Sequence, residues 1–83
     1  MSKGNAGIIE IDIHGKNAHQ AAVLIDAALR RSTTAYRIRI IHGFHQGTIL
    51  RDLVRTRYAT HSRVLRIDSA ASDGWTELVL REY

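Results

Sequence analysis

The chain has 83 residues, 45% of them hydrophobic, with no cysteine, no proline and a formal charge of +4. Its length suits one domain with a thin core that buries roughly 60–65% of the extended surface. Disulfides and thiolate metal sites are excluded, no run is long and apolar enough to cross a membrane, and the polar start is too short for a secretory signal.

A cytoplasmic protein is the default expectation, and a piece of a longer one fits equally, because the chain stops at Tyr83 directly after a strand-like run. The charge is uneven. From Arg30 to Arg66 there are nine arginines and one acid, Asp52, while the other seven acids lie outside that stretch. A basic middle suits a polyanionic partner, DNA or RNA; a solvated arginine-rich surface would look the same.

Residues 1–7 form a polar, loose lead-in, and residues 8–83 a single domain. Residues 8–13 read as a strand with Ile9, Ile11 and Ile13 on one face and Glu10 and Asp12 on the other. Residues 17–31 read as a helix. Asn17 caps it, Gln20 completes a capping box, and Ala21, Leu24, Ile25, Ala28 and Leu29 make an apolar stripe. Asp26 and Arg30 are four apart and suit a weak surface pair. Ser32-Thr33-Thr34 ends the helix through poor propensity.

Residues 36–42 form the second strand, with Ile38 and Ile40 opposite Arg37 and Arg39. Burying that arginine face would be costly, so one sheet face should be open, with Glu10 or Asp12 pairing with Arg37 or Arg39 across it. Residues 48–59 form the second helix. Ile49, Leu50, Leu53, Val54 and Arg57 make its inward face, and Arg51 and Arg55 point together to solvent. His61-Ser62 marks a turn. Residues 63–68 form a third strand with Leu65 and Ile67 inward. Asp73-Gly74 is a turn signal, and residues 75–81 form a fourth strand with Thr76, Leu78 and Leu80 inward. The order β-α-β-α-β-β predicts a two-layer α/β sandwich. Its sheet is four-stranded and mixed, both helices lie on one face, and the last strand is antiparallel.

Two His-Gly pairs, His14-Gly15 and His42-Gly43, each end a strand and precede a helix. In parallel strands both junctions fall on one sheet edge, where ligands of such folds usually bind. Asp12 suits orienting His14 or holding a substrate-side cation, or else a surface salt bridge to Arg39. His14 and His42 suit acid–base work near neutral pH, or locking a turn. Gly15, Gly43 and Gly47 would let backbone N–H groups approach a phosphate, Arg51 and Arg55 would contact the backbone, and Phe44 would stack on an unpaired base. His45 joins them as a phosphate contact or as an obstacle to close approach. A metal set of His14, His42 and His45 lacks a supporting carboxylate, so neither a metal nor a cofactor is expected.

Ile11-Asp12-Ile13-His14-Gly15, the strand end Ile40-Ile41-His42-Gly43 and the following Gly47 resemble the Smr (small MutS-related) domain family over about residues 8–80. His45 stands where that family's loop has its middle glycine, and Ile49-Leu50 where it has Leu-Arg. The resemblance implies a two-layer α/β sandwich like the C-terminal domain of bacterial translation initiation factor three. It also implies nucleic-acid binding, with DNA nicking or RNA cleavage in members. If the domain cleaves, the junction residues Asp12, His14 and His42 are the expected catalytic set. Gly15, Arg39, Gly43, Phe44, His45, Gly47, Arg51 and Arg55 would bind nucleic acid. The alternative is a non-catalytic module docking on a repair or ribosome-associated protein through Trp75 and Val79 on the open sheet face.

Overall fold

The computed structural model describes residues 7–31, 34–43, 47–69 and 74–82. It contains β1 (Ile8–Asp12), α1 (Ala18–Arg31), β2 (Arg37–Ile41), α2 (Gly47–Arg57), β3 (Arg66–Asp68) and β4 (Trp75–Val79). The sheet order is β1-β2-β4-β3, with β1 parallel to β2 and β4 antiparallel to both its neighbours. This is the expected mixed two-layer arrangement. No helix among the described residues is long and apolar enough to cross a membrane.

Period-2 alternation builds the two sheet faces. One row, Ile9, Ile38, Leu78 and Ile67, crosses all four strands in register. It meets Ala21, Ile25, Ala28 and Leu29 of α1 and Leu50 and Val54 of α2 in one core. Both helices therefore cover the same face. The expected capping box forms: Gln20 N–H donates to Asn17 Oδ1 at 2.8 Å and Asn17 N–H to Gln20 Oε1 at 3.0 Å. Gly7, expected to be loose, is held, because its carbonyl accepts the N–H groups of Tyr36 and Arg37 at 2.7 and 3.2 Å. The rest of the lead-in lies outside the described residues.

Several inward assignments are corrected. Ile49 is 70% exposed. The buried stripe of α2 runs through Leu50, Val54 and, just past the helix, Tyr58, and at 3.6 residues per turn Ile49 lies about 140° round from Val54. Leu24 is 38% exposed while Ala22 is buried, so α1 lies rotated toward its alanines. Leu65 is 59% exposed. The strand expected from residue 63 begins only at Arg66, because Val64 N–H closes a turn on the His61 carbonyl at 3.0 Å and Val64 fills the core instead. Asp26 does not pair with Arg30. It accepts the Tyr58 hydroxyl at 2.8 Å and lies 3.8 Å from Arg57, which ties α1 to the end of α2.

The other sheet face carries a second row in register: Glu10, Arg39, Glu77 and Asp68. Glu77 accepts Arg37 Nη1 at 2.6 Å and Arg39 Nε at 2.8 Å, and Arg37 Nη1 also donates to Asp68 at 2.9 Å. Arg39 reaches Glu10 at 3.5 Å and lies 5.2 Å from the Trp75 ring centroid. The face thus neutralises itself. Val79 lies in register between Arg37 and Arg66 and is fully buried; long arginine stems shield an aliphatic neighbour in this way. The exposed Trp75–Val79 patch expected for a protein partner is therefore absent.

Two measurements check this arrangement. Urea unfolding of Glu77→Gln should show a loss of about 2 kcal/mol, below the 3–5 kcal/mol of a fully buried pair because the arginines keep some water contact. Glu10→Gln, on the exposed end of the row, should cost under about 0.5 kcal/mol; equal costs would contradict the central place of Glu77. Burial first, then the bond to Asp26, pushes the Tyr58 hydroxyl up from 10.0 to about 12. A raised folded value means that the stabilisation is complete below the unfolded value and is lost as pH climbs through the folded one. In a spectrophotometric titration one of the three tyrosines should ionise late, and Tyr58→Phe should abolish that step. Three tyrosines ionising together would contradict it.

Candidate functional site

β1 ends at Asp12, and Ile13, His14, Gly15 and Lys16 make a turn closed by Lys16 N–H to the Ile13 carbonyl at 3.0 Å. Gly15, third in that turn, has φ +78°, the left-handed conformation that glycine adopts without penalty. The Asp12 carboxylate folds over the turn. Its Oδ1 accepts the His14 backbone N–H at 3.0 Å and contacts His14 Nδ1 at 2.6 Å.

The bonds from the His14 side chain, then its backbone N–H, hold the Asp12 carboxyl below the usual carboxylate range, and Lys16 adds a smaller effect in the same direction. An ionised carboxylate only accepts, so Nδ1 is the donor; in the neutral ring Nε2 then carries the free lone pair. The pair is open to solvent, with side-chain exposures of 51% for Asp12 and 69% for His14. Asp12 therefore orients His14 and forms no ion pair with Arg39.

The second junction lies beside the first, because β1 and β2 pair in parallel and Ile13 N–H donates to the Ile41 carbonyl at 2.8 Å. Gly43 has φ +84°, and a Cβ built there would stand 3.3 Å from His14 Cβ. Glycine is favoured there by the left-handed backbone, and a side chain would also crowd the His14 Cβ. The Gly43 N–H does not face a ligand: it and the His42 N–H both donate to the Gly74 carbonyl, at 2.9 and 3.0 Å. The expected phosphate cradle at Gly43 is corrected on that ground.

His42 points the other way. Its residue is 1% exposed. Its Nδ1 lies 3.2 Å from the Gly43 carbonyl and its Nε2 2.9 Å from Thr76 Oγ1, which also accepts Arg55 Nε at 2.9 Å. A carbonyl only accepts, so Nδ1 donates; in the neutral ring Nε2 accepts the Thr76 hydroxyl. A continuous chain of donors runs from Arg55 through Thr76 and His42 to Gly43. The two imidazoles are not brought together, since His42 shares the inward face of Ile38 and Ile40 while His14 shares the outward face of Asp12. The expected sharing of acid–base work between them does not fit this geometry.

The remaining expected residues divide. Gly47 opens α2, on the same edge. Gly15 has open space where a Cβ would stand. Arg55 is turned inward to Thr76, away from the solvent-facing pair expected with Arg51, and its buried Nη2 has no partner among the described residues. Arg51 lies 3.6 Å from Asp52. Arg39 belongs to the carboxylate row of the sheet. Phe44 and His45 lie outside the described residues. Among the described residues no three His, Cys, Asp or Glu side chains are grouped to hold a metal.

Thr76 and Lys16 were missed as site residues. The signal for Thr76 was a polar side chain at an inward strand position, which must find a buried partner. A recess of about 400 Å³ beside the turn is lined by Lys16, Asn17, Ala18, Ile49 and Leu50, between the starts of the two helices.

No curated protein sequence matches the chain. Among solved structures, the crystal structure of the Smr domain of Thermus thermophilus MutS2 superposes with a TM-score of 0.77 at 28% identity, covering 89% of this chain and 99% of that one. The Smr family generally binds nucleic acid, and some members are nicking endonucleases. The Smr domain model itself matches residues 11–77, from the strand that carries Asp12 to the strand that carries Thr76, and the chain belongs to the Smr domain family.

Proposed function

We propose that this chain binds nucleic acid at the edge where β1 and β2 end, and that the Asp12–His14 pair cleaves a phosphodiester there. The observation that carries the reading is the 2.6 Å contact between Asp12 Oδ1 and His14 Nδ1 in a solvent-open turn. A carboxylate that fixes the Nδ1–H tautomer leaves Nε2 poised as a base. In RNA, Nε2 takes the proton of the 2′-hydroxyl, the 2′-oxygen bonds to phosphorus, and the 5′-oxygen leaves with a proton from water. In DNA the same nitrogen takes a proton from a water, whose oxygen bonds to phosphorus as one ester oxygen leaves with a proton from solvent.

Positive charge near the phosphate comes from Lys16, which already acts on Asp12, and from the N-terminus of α2 at Gly47, where first-turn N–H groups lack helical partners. The open space at Gly15 lets a phosphate oxygen approach the backbone. Exposed Ile49 on the recess offers an apolar wall to a base or sugar. His42 acts by positioning: through the Gly43 carbonyl it holds the residue that packs on His14.

A nicking assay and an RNA-cleavage assay on wild type, Asp12→Asn, His14→Ala and His42→Ala, each with and without chelator, test the proposal. His14→Ala should lose about 10²–10⁴-fold in cleavage, the usual scale of a general base, while binding stays within about two-fold and chelator has no effect. Asp12→Asn should lose less. His42→Ala should lower thermal stability together with cleavage. Equal cleavage by all four proteins would expose a contaminant and remove the catalytic reading, and loss only on chelation would replace it with metal chemistry.

A further inference from the structure

Four large apolar side chains stand exposed among the described residues: Val23, Leu24, Ile49 and Leu65. Scattered singly they would be ordinary surface. Three of them are not scattered. Val23 and Leu24 line a recess of about 270 Å³ on α1, and Ile49 lines the recess of about 400 Å³ between the helix starts. Lys16 lines both. Two apolar hollows therefore flank one cation, and that cation closes the turn that carries His14.

Helical spacing accounts for the first hollow. Gln20, Val23 and Leu24 recur at intervals of three and four along α1, and the stripe points back to Lys16, four residues before Gln20. Ala21, Ile25, Ala28 and Leu29 supply the core contacts of the helix, and Val23 stays 51% exposed. The polar groups around the hollows are donors. No carboxylate lines either recess. The side-chain oxygens of Asn17 and Gln20 accept the backbone N–H groups of the capping box, so what these side chains offer a ligand is their amide N–H2.

We propose that the two recesses take the bases of two neighbouring unpaired nucleotides, with the phosphate that joins them at Lys16; this rests on the nucleic-acid reading above and makes single strands and loops the substrate class. An unpaired nucleotide sets an apolar base face beside an anionic phosphate, which is the complement of a cation between two apolar hollows. In a duplex the base faces are covered by stacking, and only base edges show in the grooves. A duplex can meet Lys16 with a phosphate, but it has no base face to place on Val23 or Ile49.

The test uses the full chain. Val23→Ser/Ile49→Ser removes an apolar wall from each recess at little cost to the helices, since serine, valine and isoleucine have similar helix propensity. Leu65→Ser, at the exposed leucine outside both recesses, is the control. Binding is measured to a single strand of about 8 nucleotides, to an abasic strand of equal length and to a duplex of the same sequence. Each is made as DNA and as RNA, and the tighter-bound of the two is read. On the single strand the recess variant should bind about ten-fold more weakly than wild type with its salt slope unchanged, because it loses base contacts and no phosphate contact. Lys16→Gln should lower that slope by about 0.7, and the control should stay within about two-fold of wild type. On the abasic strand and on the duplex, wild type and recess variant should bind alike. If the recess variant matches the control on the single strand, loses as much on the abasic strand or the duplex, or if Lys16→Gln leaves the slope unchanged, only this proposal is overturned. A wild-type dimer that the recess variant breaks would put a second copy in the hollows and overturn it too. A wild type that binds no strand at all overturns the nucleic-acid reading and this one with it.

Discussion

The site depends on the parallel pairing of β1 with β2. The bond from Ile13 N–H to the Ile41 carbonyl extends that ladder one step beyond β1 and fixes where both chains leave the sheet. From there the pleat sends His14 and His42 to opposite faces. A Cβ at Gly43 would crowd His14 at 3.3 Å, and the same residue adopts the left-handed backbone that glycine takes without penalty. The exposed histidine is thus packed on a turn whose other side is anchored in the core by His42, Thr76 and Arg55. Surface chemistry and buried support belong to one continuous structure.

The distribution of arginine follows from the same layering. Glu77 draws Arg37 and Arg39 into a matched row, and Arg66 pairs with Glu82 at 2.8 Å, so the sheet face uses its cations internally. Arg55 turns beneath α2. Arg30 and Arg57 stand instead on the helical side, in the last turns of α1 and α2. A basic stretch in the sequence is real, yet which of its charges are drawn into pairs within the fold is decided by register.

Much of this was legible from residue patterns. Alternating isoleucines gave β1 and β2, Asn17 with Gln20 gave the start of α1, and the Asp12-Ile13-His14-Gly15 and His42-Gly43 motifs pointed to one edge. Strict alternation also put His42 on the Ile38–Ile40 face, where it lies. Other features depend on tertiary contacts. Ile49 and Leu65 are apolar and stand next to inward positions, so pattern alone placed them in the core; the helix rotation set by Leu50, Val54 and Tyr58, and the turn at His61–Val64, put them outside. Arg55 looked like a solvent-facing partner of Arg51 because nothing local announces Thr76, which is 21 positions away. Tyr58 lies past the helix end, where periodicity no longer speaks, and it joins α1 to α2 through Asp26.

The central claim is that one histidine meets the nucleic acid while the other supports it from within. Imidazole ¹H–¹⁵N correlation spectra of the full chain, recorded as a non-cleavable oligonucleotide is added, read this directly. The account predicts that the ring resonances of His14 shift progressively while those of His42, held by Thr76 and the Gly43 carbonyl, stay where they are. A shift of the His42 ring with His14 unmoved would contradict it.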